Sequence, residues 1–152
     1  MSYQVLRVPA EATYSLRQQV LRPHQTLTQM RLAGDEDADT GFLAAVDADG
    51  TVLATASVRR EACPWQPGRI DGWRLRGMAT APDRQRQGVG GRVLAATVTH
   101  VEEHGGGLLW CNARTPAQTL YERAGLVVYG DEWLDPVIGP HVHMWREVAA
   151  AG

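Results

Sequence analysis

Between Arg84 and Arg92 the chain reads RQRQGVGGR, three arginines and three glycines in nine positions, and then turns apolar and helix-like through Val98. Glycine lets a backbone approach a ligand closely and leaves its amides uncovered. The first N–H groups of a helix have no internal partner, and the macrodipole adds positive potential there. Gly88, Gly90 and Gly91 at a loop-to-helix junction therefore predict a seat for an anion such as a pyrophosphate. Arg84, Arg86 and Arg92 can add charge-assisted hydrogen bonds. A Walker loop would need a lysine, and the sequence contains none. A Rossmann fingerprint would need glycine or alanine where Val93 stands, and an acidic residue about 20 positions further on in a strand. What remains is the pattern Gln/Arg-x-x-Gly-x-Gly/Ala, met by Gln85-Arg86-Gln87-Gly88-Val89-Gly90.

The elements that must hold this loop follow from local pattern. Tyr3–Val8 alternates and reads as a strand. EATYSLRQQVLRP reads as a helix ended by Pro23, with a second short helix over His24–Leu32. AGDEDADTG reads as a solvated acidic loop rather than a metal site. GFLAAVDADGTVLATASVRR carries two apolar runs around Asp47-Ala48-Asp49-Gly50, a hairpin. The Pro- and Gly-bearing stretch from Glu61 to Gly72 is a loop, and Trp73–Thr80 a strand. A helix from the arginine loop reaches Glu103, ended by the run Gly105–Gly107. LLWCNA is a short buried strand. TPAQTLYERAG has Thr115 as N-cap, Pro116 at the first helical position and Gly125 after the end. LVVYG is a strand, DEWLDPVIGP a loop, and HVHMWREV the last strand. This mixed order predicts an α/β sheet with helices on both faces. The strands at Trp73 and Cys111, joined by a helix, are expected to run parallel.

The totals narrow the class. With 152 residues, 44% of them hydrophobic, the chain is expected to form one domain, residues 1–152. A formal charge of −2 argues against a general nucleic-acid binder. Cys63 and Cys111 lack metal or redox spacing and read as reduced thiols of a cytoplasmic protein. The N-terminal segment has no signal-peptide core, and no apolar run is long enough to span a membrane.

Taken together, LRGMATAPDRQRQGVGGRVL and NARTPAQTLYERAGL resemble the two adjoining motifs of the GNAT superfamily of acyl-CoA-dependent N-acetyltransferases, over about Arg74 to Val128. The stretches VLRP, LWCNAR, LYERAGL and GPHVHM look like a subgroup of small bacterial members. The resemblance implies the GNAT acyl-CoA N-acyltransferase fold, a mixed central sheet of about six to seven strands with helices on both faces. It implies acetyl-CoA as cosubstrate, and transfer of its acetyl group by direct attack of a primary amine of a small molecule or protein. Gln85, Arg86, Gln87, Gly88, Val89, Gly90 and Gly91 would hold the pyrophosphate. Met78, Ala79 and Thr80 would offer a strand edge to pantetheine, with the Met78 amide facing the thioester carbonyl. Asn112 either reaches the pantetheine arm or simply caps its strand. Tyr121 would lie near the sulfur, where a phenol is protonated at neutral pH and can act as general acid. It also fits as packing between helix and sheet.

The proton acceptor stays open among Asp131, Glu132, His141, His143 and water. His141, His143 and Trp145 share a strand face, and Glu132 could attract a cationic acceptor. The loop Glu61–Gly72, with Trp65 and Trp73, and the segment Tyr14–Met30 are expected to line the acceptor side, where the tryptophans either shape a pocket or cover the core. His100 and His104 read as solvent-facing. A non-catalytic acyl-CoA-binding module is the alternative, and a nucleotide switch is disfavoured by the missing lysine. Exposed edge strands leave room for a homodimer. No metal, nucleic acid or membrane is expected.

Overall fold

The computed structural model describes residues 2–152. In chain order it comprises β1 (Tyr3–Arg7), α1 (Tyr14–Leu21) entered through a 3-10 turn at Ala10–Thr13, β2 (Gly41–Asp47), β3 (Val52–Arg60), β4 (Gly72–Thr80), α2 (Val89–Glu103), β5 (Gly107–Arg114), α3 (Gln118–Arg123), β6 (Val127–Asp135) and β7 (Gly139–Val148). The seven strands form one sheet in the order β1-β2-β3-β4-β5-β7-β6. Among the described residues only β4 and β5 pair in parallel, and every other neighbour is antiparallel.

Strand alternation sorts the side chains of β4 onto two faces. Trp73 and Leu75 enter the main core with Val93, Leu94, Val98 and Val101 of α2 and Leu109, Cys111, Val142 and Met144 of the sheet. Trp73 is fully buried, and its indole N–H donates to the Gly106 carbonyl, 3.3 Å away. Arg74 and Arg76 turn to the opposite face, where α1 packs on β3 and β4. A smaller cluster on that face joins Cys63, Leu108 and Trp110, with Trp65 and Trp145 against it.

Several expectations are corrected. The segment His24–Leu32 forms only a 3-10 turn at Thr28–Met30. Side chains tie it down instead: Gln18 Nε2 donates to the Gln25 carbonyl (2.8 Å) and Arg17 Nη2 to the Met30 carbonyl (3.0 Å). DEWLDPVIGP is mostly strand, since β6 runs to Asp135 and β7 begins at Gly139. The β6–β7 register shifts between Tyr129 and Trp133, and such an irregular edge strand lacks a clean apolar alternation. Thr115 does not cap α3. The helix is entered through a 3-10 turn at Thr115–Ala117, with no side-chain cap bond. His100 is buried rather than solvent-facing, and its Nε2–H donates to the Asp39 carbonyl at 2.7 Å. Trp73 ring stacking edge-on to His100 completes that enclosure.

Candidate active site

β4 and β5 pair over three residues only, Gly72↔Leu108, Trp73↔Leu109 and Arg74↔Trp110. Beyond Arg74 the strands separate, so the facing edges of Leu75–Thr80 and Cys111–Arg114 lose their ladder partners. The cause lies in β4 itself. Gly77 has φ +62, and the β3–β4 register shifts between Thr55 and Ser57. The Thr55 hydroxyl donates to the Gly77 carbonyl (2.8 Å) and secures this bulge. The left-handed φ of Gly77 favours glycine, and a Cβ there would also press on Arg17 Nε at 3.0 Å. Past the bulge, Ala79 pairs with Thr55, and the Ala81 amide donates to the Leu53 carbonyl. Alternation along an antiparallel strand then turns the amides of Met78 and Thr80 away from β3, toward the gap.

α2 starts at the edge of this gap. Gly88 caps it at φ +81, and the first internal helical bond runs from the Arg92 amide to the Gly88 carbonyl. The amides of Val89, Gly90 and Gly91 precede that bond and have no partner within the helix. Gly90 packs against β4 so closely that a Cβ would lie 2.9 Å from Thr80 Oγ1. Gly91 and Gly88 meet nothing closer than 3.9 Å, so their bare backbone faces open space. Arg86 carries the single positive φ outside glycine among the described residues, +65. Such strain clusters at ligand clamps. These features fit a pyrophosphate group: free amides, a positive helix end and two arginines.

The gap opens into a cleft of about 1640 Å³ lined by Met78, Ala79, Thr80, Gln85, Arg86, Gly88, Gly90, Gly91, Asn112, Tyr121 and His141. Arg84 lines it too. Gln87 does not; its side chain is exposed and donates to the Asp83 carbonyl. The Val89 side chain is buried in the core, leaving only its amide for a ligand. Arg92 points elsewhere, over the Tyr3 ring. Neither the loop Glu61–Gly72, with Trp65, nor Trp73 reaches the cleft. Trp65 stacks on Tyr129 with rings 4.8 Å apart and 6° from parallel, covering the sheet.

Tyr121 projects from α3 and is 6% exposed. Burial first, and then the neighbouring Cys111, push its hydroxyl well above the ordinary phenol range, so it keeps its proton. Burial likewise raises the Cys111 thiol to about 12. His141 is buried, stacks on Trp133 and has Nδ1 2.8 Å from the Gly139 carbonyl. A carbonyl only accepts, so Nδ1 carries the proton. In the neutral ring, Nε2 then holds a free lone pair. His143 follows a different course. Its Nδ1–H donates to Asn112 Oδ1 at 2.9 Å and its ring lies between Trp65 and Trp133, so it sits behind two cleft-lining residues, Asn112 and Trp133, without lining the cleft itself. Glu132 and Asp131 are exposed at the β6 irregularity and do not line the cleft. Among the described residues no group of three or more metal-ligating side chains occurs.

The segment Tyr14–Met30, expected on the acceptor side, does reach the far end of the site, but the arginines gathered there were not foreseen. Arg74, Arg76 and Arg114 line the cleft with Asp135, and α1 brings Leu21 and Arg22 to its rim. The alternation of WRLRG does place Arg74 and Arg76 on one face. Nothing local says that α1 leaves that face open.

The family model described as Acetyltransferase (GNAT) family matches residues 8–126. An uncharacterized N-acetyltransferase of Bacillus subtilis, YitI, is 32% identical over 143 residues, covering 94% of this chain and 95% of that one. Among solved structures, the ribosomal-protein-S18-alanine N-acetyltransferase of Escherichia coli superposes with TM-score 0.76 at 20% identity, covering 99% and 97% of the two chains. A phosphinothricin acetyltransferase from Sinorhizobium meliloti, solved in complex with AcCoA, superposes with TM-score 0.77 at 13% identity, covering 98% and 90%. The two structures share this fold. Among the described residues no helix is long and apolar enough to cross a membrane. The chain belongs to the Acetyltransferase (GNAT) family and is an acetyl-CoA-dependent N-acetyltransferase.

Proposed function

We propose that residues 1–152 act as one catalytic domain in which the β4–β5 gap presents the acyl donor to a primary amine. Acetyl-CoA supplies an acetyl group already activated as a thioester. The amides of Val89, Gly90 and Gly91, with Arg84 and Arg86, hold its pyrophosphate at the start of α2. The exposed edge Met78–Thr80 and the Asn112 amide orient its pantetheine arm. The Met78 amide faces the carbonyl oxygen and stabilises negative charge building there, a contact whose loss costs about 3 kcal/mol in other enzymes. His141 Nε2 takes a proton from the acceptor's ammonium group, directly or through water, and frees the lone pair that attacks the carbonyl carbon. The Tyr121 hydroxyl gives a proton to the departing sulfur as the C–N bond forms and the C–S bond breaks. Its raised pKa supports this role, because an acid must reach the reaction still protonated.

The opened β4 edge facing Tyr121 across the cleft is the observation that carries this reading. Incubation with acetyl-CoA and a panel of amines, with free thiol as readout, tests it. Amine-dependent thiol release that Tyr121→Phe suppresses supports it, and undiminished release in that variant removes the role given to Tyr121.

Two further features belong to this reading. Free, buried Cys63 and Cys111 suit a reducing cytoplasm. Exposed Val127, Val128, Tyr129 and Leu134 along the outer strand β6 suit a homodimer, which sedimentation would reveal.

A further inference from the structure

A second cavity of about 340 Å³ adjoins the cleft and shares Leu21, Arg22, Arg76, Gly77, Asp135 and Ile138 with it. Its charged walls are three arginines, Arg17, Arg22 and Arg76, against one carboxylate, Asp135. Arg114 stands just outside, on the cleft side. None of these four arginines forms an ion pair among the described residues. Arg17, although 5% exposed, donates only to neutral oxygens, Thr13 Oγ1 and the Met30 carbonyl. Arg114 donates to the Leu21 carbonyl at 2.6 Å.

The nearby carboxylates are held by other donors, although Asp135 also acts on Arg22 and Arg114 through its field. Asp135 Oδ1 accepts from the Val137 and Ile138 amides. Glu61 binds Arg59 and Arg74. Asp35, which acts on Arg17 only through its field, accepts from the Leu32 amide. The Arg76 carbonyl accepts from the Ser57 hydroxyl, but its guanidinium makes no hydrogen bond among the described residues. Burial, and then its neighbours Arg74 and Arg59, lower it to about 10. Guanidinium groups taken from water and crowded by like charge destabilise the empty protein, and an anion relieves that cost.

We propose that this cavity receives a carboxylate on the acceptor, making the acceptor a small amino-acid-type zwitterion rather than a simple amine or a protein amino group. The inference rests on the reading of the cleft as the acetyl-transfer site. No residue of the Arg84–Gly91 loop lines the cavity, so the cosubstrate's pyrophosphate is not the anion it awaits. Its volume suits an amino-acid headgroup and side chain, and the fork of Arg76 can grip a carboxylate in bidentate fashion.

The test uses the standard amino acids and their carboxamides as matched pairs, first by calorimetry on the CoA-saturated protein and then by turnover. An amide's amine is the less basic of each pair, so nucleophile availability works against the expected result. For at least one pair the carboxylate should bind roughly ten-fold or more tightly than its carboxamide. Arg76→Gln and, separately, Arg22→Gln should shrink that ratio through KM rather than kcat, with acetyl-CoA affinity retained. Equal or tighter binding of the carboxamides overturns the proposal, as does silence from every carboxylate while acetyl-CoA binds. Failure of acetyl-CoA itself to bind overturns the parent reading, and this one with it.

Discussion

The two ends of the cleft are built on opposite principles. At the α2 end, charge is offered by backbone: unpaired amides at Val89–Gly91, uncovered by glycine and aimed by a helix start. At the α1 end it is offered by side chains, with Arg17, Arg22 and Arg76 converging from α1, the segment after it, and β4. Backbone donors are fixed wherever the fold is fixed and suit a cosubstrate common to a family. Side-chain donors change with single substitutions and suit an acceptor that varies between members. Gly77 joins the two ends, since its bulge opens the β4 edge and leaves room for Arg17.

Substitutions can break this contrast, beginning where the largest effect is expected. Tyr121→Phe removes the proposed acid and should lower kcat about 10²-fold or more while calorimetric acetyl-CoA affinity holds. A loss in affinity with kcat intact would instead make Tyr121 a packing residue. Gly90→Val presses a branched side chain toward Thr80 Oγ1 and over the free amides, so acetyl-CoA should bind roughly 10- to 100-fold more weakly. An acceptor effect from Gly90→Val, with cosubstrate binding unchanged, would erase the division between the two ends.

His100 sharpens the comparison from outside the site. Burial lowers its pKa, so between its folded value and the unfolded value near 6.5 the unfolded chain binds more protons. Its contribution to stability is present above about pH 6.5 and is lost as pH falls through the lower folded value. Thermal melts from pH 7 to 5 should show a falling Tm, and His100→Gln should flatten that fall while lowering the neutral value. Glu132→Gln anchors the small end of the scale. The side chain is exposed and away from the cleft, so kcat/KM should change by less than about two-fold.

The same division explains what could be read from sequence. The α2 end was legible because glycines, arginines and an apolar helical run lie within fifteen consecutive residues. The hairpin around Asp47–Gly50 was legible for the same local reason. Legibility failed where partners come from distant segments. The second half of β6, from Asp131, hid because the register shift between Tyr129 and Trp133 breaks the alternation a strand should show. Arg76 gained importance only when the fold set it beside Arg17 and Arg74 while Glu61 was engaged elsewhere. His100 is a different failure. It sits seven residues after Val93 on the apolar stripe of α2, and its chemical type obscured a periodicity already present.

Amide NMR during a titration with acetyl-CoA tests the central claim most directly. Saturable shifts are expected at Met78, Thr80, Val89, Gly90 and Gly91, with smaller ones along α1. Saturable binding that leaves the β4 edge and the α2 start unmoved would contradict the placement of the cosubstrate in the gap between β4 and β5.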